Sequence, residues 1–260
     1  MNQFLKIALE AVRESGKIQM AKLGRVRRLR FKGEINPVTE VDLQCEATIL
    51  KIIRKQFPEH QILSEEAGMM ERPSDYRWIV DPLDGTANYS HGYPLFCTSI
   101  ALEHRGRVIA GAVYEPNLDE LFYAERGHGA FLNGRRIRVS KINRMKRALL
   151  CTGFAYDLKR VRDNNLKNFG NFIMSAQAVR RDGVAASDLC YVACGRFEGF
   201  WELGLWAWDV AAAALIIEEA GGKVSSFNGQ RLNIYGREIV ASNGLIHHGM
   251  LEVLKHGRHR

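Results

Sequence analysis

Apolar positions recur at helical spacing in two early segments. Across residues 3–21, Phe4, Ala8, Ala11 and Val12 fall on one face, and across 39–57 so do Val41, Cys45, Ile49, Ile52, Ile53 and Phe57. Thr39 with Asp42 three residues on predicts a capping box at the start of the second helix, and Pro58 closes it. Between the two, Arg28-Leu29-Arg30-Phe31-Lys32 alternates like a strand with one wet face, and Glu34-Ile35-Asn36-Pro37 reads as a turn. The pattern then shifts to short apolar runs that predict strands at 61–64, 77–81, 95–103, 107–114, 120–124 and 130–139. The last is broken by the hairpin dipeptide Asn133-Gly134. From residue 148 strand and helix alternate: a strand at 148–152, a helix within 157–175, a helix at 183–195, a strand at 197–202 and a helix at 209–220. A strand at 238–241 and a short last helix complete the chain. Hairpins first and alternation later predict a mixed architecture, passing from α+β to α/β. The expected organisation is one unit, 1–260, with lobes 1–145 and 146–260.

Composition narrows the class. With 46% hydrophobic and 25% charged residues in 260, the chain matches ordinary globular proteins, which excludes collagen-like and disordered classes. A chain this long buries roughly 70% of its unfolded surface and needs no staples. The longest apolar run, residues 210–217, falls far short of the roughly 20 residues a membrane span requires, so no membrane partner is expected. Lys6, Glu10 and Arg13 interrupt the first segment, which therefore lacks a signal-peptide core. The five cysteines include no CxxC pair, which fits small buried side chains in a reducing, cytoplasmic setting.

The net charge of +8 is uneven. Residues 22–33, 126–156 and 255–260 hold 17 basic and no acidic residues, leaving 20 basic against 29 acidic elsewhere. Basic segments attract phosphate-bearing partners, nucleic acid among them. No helix-turn-helix, RRM or zinc-finger pattern accompanies them, so nucleic acid is not the favoured partner.

Residues 78–89 carry the candidate chemistry. An apolar strand runs into Asp81, Pro82 is expected to end the sheet ladder, and Asp84 follows with Gly85-Thr86 behind it. Two carboxylates across such a turn, with the Leu83 carbonyl between them, make an oxygen-only donor set suited to Mg²⁺. A helix starting after Gly85 would present free N–H groups to a phosphate. Asp-Pro-x-Asp-Gly is equally a common surface turn, and Asp209 at the start of an apolar helix is equally a cap. Glu65, after another predicted strand, shifts the balance toward a shared site.

Four stretches together resemble the inositol monophosphatase family of lithium-sensitive, Mg²⁺-dependent phosphatases. They are Val38-Thr39-Glu40-Val41-Asp42, Ser64-Glu65-Glu66, Asp81 to Asn88, and Trp208-Asp209-Val210-Ala211-Ala212 with Glu218-Glu219-Ala220-Gly221-Gly222. The resemblance implies the sugar-phosphatase fold, alternating helix and sheet layers in the order αβαβα, and a homodimer. It implies that Glu65, Asp81, the Leu83 carbonyl, Asp84 and Asp209 ligate two or three Mg²⁺ ions. Gly85 and Thr86 would bind phosphate, and Glu65, Thr86 and Asp42 would be the catalytic set. Asp84, Gly183, Ala185, Glu202 and Asp209 would meet the alcohol of a small phosphate ester, inositol 1-phosphate first. Val184 stands where the family often has Ser or Thr. Fructose 1,6-bisphosphate, histidinol phosphate and 3′-phosphoadenosine 5′-phosphate are alternative substrates, and a regulatory RNA- or protein-binding role on the basic segments is an alternative of another class. Glu202 also reads as a solvated strand-end charge, Arg180 and Arg181 as subunit-interface residues, and Trp201, Trp206 and Trp208 as core and lip packing.

Overall fold

A computed structural model describes residues 2–25, 29–32, 36–156, 158 and 164–256. In chain order, the first half contains α1 (Gln3–Lys22), β1 (Leu29–Lys32), β2 (Asn36–Thr39), α2 (Glu40–Gln56), β3 (Gln61–Ser64), β4 (Gly68–Met70), β5 (Tyr76–Asp84) and a single-turn α3 (Thr86–Ser90). Then come β6 (Cys97–His104), β7 (Arg107–Glu115), β8 (Glu120–Glu125), β9 (Ala130–Leu132) and β10 (Arg135–Arg136). The second half contains β11 (Leu149–Thr152), α4 (Leu166–Ser175), β12 (Ala178–Arg180), α5 (Ala185–Ala193), β13 (Gly199–Leu203), α6 (Ala207–Glu219), β14 (Lys223–Ser225), β15 (Glu238–Ser242) and α7 (His247–Lys255).

Strands β3 to β10 form an eight-stranded sheet in the order β10-β9-β8-β7-β6-β5-β3-β4, and the later strands a five-stranded one, β12-β11-β13-β15-β14. The alternation along β5 shows how the first sheet is used. Trp78 and Val80 pack with Leu5, Ala8, Val12, Ile49 and Ile53 of α1 and α2. Ile79, between them, packs on the opposite face with α5 and α6. Both faces are buried, which is why this strand reads as a continuous apolar run. The second sheet divides the same way: Phe200 and Ala241 face α5 and α6, while Trp201 and Val240 face Phe172 of α4 and Met250 and Leu254 of α7. The layers are therefore helix, sheet, helix, sheet, helix, the αβαβα order.

Several local expectations need correction. Pro82 does not end the ladder: β5 runs on to Asp84, and its pairing with β6 shifts register between Asp81, opposite Ser99, and Asp84, opposite Cys97. A proline without an N–H is accommodated at such an irregularity. The predicted strand 130–139 forms only as β9 and β10, at the edge of the sheet, before the chain leaves for the second half. The helix sought in 157–175 starts at Leu166; residues 157 and 159–163 lie outside the described residues, as do the turn residues 34 and 35. The capping box is present, with Thr39 N–H donating to Asp42 Oδ2 at 2.8 Å.

Candidate active site

Three elements deliver the acids. Strands β3 and β5 run parallel, with Ser64 opposite Val80. Glu65 N–H continues that ladder to Val80 O at 3.2 Å, so Glu65 emerges beside Asp81. Glu46 of α2 secures this corner: its Oε1 accepts the Ser64 hydroxyl and the Ala67 N–H, the latter at 3.0 Å. The bulge at Pro82 is held from behind, where Pro82 O accepts Gln19 Nε2 at 2.9 Å and Thr98 Oγ1 at 3.1 Å. Asp209 arrives on the first turn of α6, and its Oδ2 accepts the Trp206 N–H at 2.7 Å. The capping role anticipated for Asp209 is real, and it occupies one oxygen only.

Glu65, Asp81, Leu83, Asp84, Gly85, Thr86, Gly183, Ala185, Glu202 and Asp209 all line one open cleft of about 360 Å³. Asp42 lies directly behind it, its Oδ1 accepting the Thr86 hydroxyl at 2.8 Å. The structure thus brings every predicted site residue to one place. Gly85, at φ 90°, starts α3, and a Cβ there would lie 2.8 Å from Val184 Cγ2. Asp84 Oδ2 accepts the Ala186 N–H at 2.8 Å, and Asn88 Nδ2 donates to Asp182 O at 2.9 Å. These two bonds join the β5–α3 corner to the start of α5.

The electrostatics are those of crowded acids. Burial, then the charges of Glu65, Asp84 and Asp209, push Asp81 well above the usual carboxylate range. Desolvation by the cleft walls raises Asp84 to about 7 and Asp209 to about 8. Glu202 is raised well above its ordinary value by burial and by Asp209 and Asp84, with Arg181 opposing. Among the described residues, no lysine or arginine forms an ion pair with Asp81, Asp84 or Asp209. An all-oxygen donor set in which burial and mutual repulsion outweigh the opposing charge of Arg237 on Asp209 fits a hard divalent cation.

The pattern of the sequence missed part of the cleft wall. Gly153 packs directly on the Glu202 carboxylate. Phe154, Tyr156 and Arg237 also line the cleft. They carry no motif, because only the second sheet brings these separate segments together. Arg237 lies 3.9 Å above the Trp206 ring, so Trp206 forms the lip with a cation stacked on it, while Trp201 is fully buried core. His91 is the C-cap residue of α3.

The layered fold and this acidic cleft define a class, the metal-dependent phosphomonoester hydrolases. The chain belongs to the inositol monophosphatase family, which it matches over residues 1–258. It is 43% identical over 256 residues to an inositol-1-monophosphatase from Synechocystis, covering 98% of this chain and 89% of that one. It is also 43% identical to the Nus factor SuhB of Pseudomonas aeruginosa over 250 residues, covering 94% and 92%. The solved inositol monophosphatase from Anabaena (Nostoc) superposes with a TM-score of 0.90 at 43% identity, covering 97% of this chain and 95% of that one.

Proposed function

We propose that this protein hydrolyses small phosphate monoesters, inositol 1-phosphate first, with two or three Mg²⁺ ions held by Glu65, Asp81, the Leu83 carbonyl, Asp84 and Asp209. When bound, Mg²⁺ supplies positive charge at the phosphate and makes a nearby water more acidic. Gly85 and Thr86 hold phosphate oxygens through their backbone N–H groups. The Thr86 hydroxyl donates to Asp42 Oδ1, which leaves its lone pairs free to orient the attacking water. Glu65 accepts that water's proton. Glu202, Gly183, Ala185 and the free edges of Asp84 and Asp209 face the departing alcohol. On the same reading the protein is a cytoplasmic, lithium-sensitive homodimer.

The observation that carries this reading is the convergence of oxygen donors from β5, the β3 turn and α6 on one cleft. Phosphate release from inositol 1-phosphate, fructose 1,6-bisphosphate, histidinol phosphate and 3′-phosphoadenosine 5′-phosphate tests it, with Mg²⁺, with EDTA, and with Asp81→Asn as blank. Mg²⁺-dependent release that Asp81→Asn abolishes is the expected outcome; near-normal turnover by that variant would refute the metal assignment. Arg181, which lines the cleft and spends no donor on a described residue, favours including a bisphosphate in the panel.

A second reading rests on a separate surface. Arg135, Arg136, Arg138, Lys141, Arg144, Lys146 and Arg147 are all exposed along one segment, and one similar protein is named a Nus factor. A phosphate-rich polymer such as RNA would bind there in a salt-dependent manner that survives Asp81→Asn. Binding unaffected by salt would eliminate this reading.

A further inference from the structure

A second cluster of donors lies behind the substrate wall of the cleft. Cys151 on β11, Asp182 in the loop before α5, and Asp188 on α5 each bring one ligand atom within 4.8 Å of the others. None belongs to the oxygen-only set described above. Cys151 and Asp188 are buried, and Asp182 is half-buried, leaving one side for entry.

The Asp188 carboxylate is the informative group. It is 1% exposed, and its Oδ1 has no hydrogen-bond partner among the described residues. The charges that act on it are those of Asp182, Glu202 and Asp84, all of its own sign, and its hydrogen-bonding neighbour is the Cys151 thiol. Among the described residues no backbone N–H and no cation is seen to offset this burial among acids, which is strongly unfavourable unless something positive joins the carboxylate. Arg180 and Arg181 act on Asp182, offsetting its burial, but do not reach Asp188.

We propose that Cys151, Asp182 and Asp188 form a second divalent-cation site, selective for a thiophilic ion of the Zn²⁺ or Co²⁺ type. One sulfur and two carboxylate oxygens leave a fourth, open position for water, and thiolate with carboxylate favours such an ion over Mg²⁺. Binding forms one metal–sulfur and two metal–oxygen bonds, and the proton displaced from the Cys151 thiol goes to solvent. The ion ties β11 to α5 and to the loop whose next residue, Gly183, lines the cleft. The proposal stands independently of the phosphatase reading.

The test is Co²⁺ titration of the metal-stripped full-length protein in saturating Mg²⁺, following thiolate-to-cobalt charge-transfer absorption. One equivalent should develop the band. Cys151→Ser should lose it, Asp188→Asn should lose it or require at least tenfold more Co²⁺, and Asp81→Asn should retain it. No band from folded protein would overturn the site and would mean that a proton neutralises Asp188. A band surviving Cys151→Ser would overturn it too, because Cys97 lies 4.0 Å from Asp84 Oδ2 and would then be the source. Circular dichroism monitors folding, and Asp182→Asn, at the half-buried position, gives the same test should the buried variants fail to fold.

Discussion

Glu202 and Gly153 show what one side chain does at the cleft wall. The Glu202 carboxylate occupies the space that a Cβ on Gly153 would fill, so carboxylate and backbone are fitted to each other. The solvated strand-end reading of Glu202 does not hold, because the side chain is 6% exposed and faces the cleft. Removing it should disturb recognition of the alcohol more than the phosphate chemistry. Glu202→Ala is expected to lower kcat/KM for inositol 1-phosphate about tenfold or more, a loss of roughly 1.4 kcal/mol. The rate with a small aryl phosphate should change little. Steady-state kinetics on both substrates check this, and equal losses would show that Glu202 does not select the alcohol. The carboxylates were legible in the sequence because their residue types and order carry a chemical pattern. Gly153 and Arg237 were not legible as a cleft wall, since nothing in their local sequence marks the tertiary contact that gathers them.

Helix α6 owes its placement to small residues on both sides of one contact. A Cβ on Gly111 of β7 would lie 2.9 Å from both Cα and O of Ala212, so helix and sheet touch backbone to backbone. The alanines that made residues 210–217 look merely apolar are what permit this approach. Gly111→Ala should therefore push α6 outward, costing about 1–3 kcal/mol. It should also lower kcat, because Asp209 rides on the first turn of the displaced helix. Thermal unfolding and kinetics measured together test the link; a destabilised enzyme with unchanged kcat would break it. The long elements were readable because each carries enough residues to display its period. Strands β4, β12 and β14 have three residues each and complete themselves only by pairing with β3, β11 and β15, so local sequence cannot announce them. The bulge at Pro82 escaped for a related reason: Gln19 of α1 and Thr98 of β6 hold it from far along the chain.

Over the whole molecule, the charge is divided between the exposed basic segment 135–147 and an acidic cleft. Asp84 and Asp209, at about 7 and about 8 against an ordinary 3.8, make that division felt in stability. In the metal-free protein the native state holds protons that the unfolded chain has released between roughly pH 4 and pH 8. Their contribution to stability is therefore full at about pH 4 and is lost as pH rises through 7 and 8. Mg²⁺ reverses the sign, because it stabilises the ionised carboxylates and must compete with protons at low pH. With EDTA, the difference in melting temperature between pH 5 and pH 8 should be smaller in Asp209→Asn than in the unsubstituted chain. Mg²⁺ at about 100 times its dissociation constant contributes roughly 2.7 kcal/mol, which in a chain of this size corresponds to a rise of about 5–10 °C. That rise should be present at pH 8 and much reduced at pH 5 at the same Mg²⁺ concentration. Thermal melts at the two pH values, with Mg²⁺ and with EDTA, measure it directly. An equal rise at both would mean that Mg²⁺ does not bind through Asp84 and Asp209.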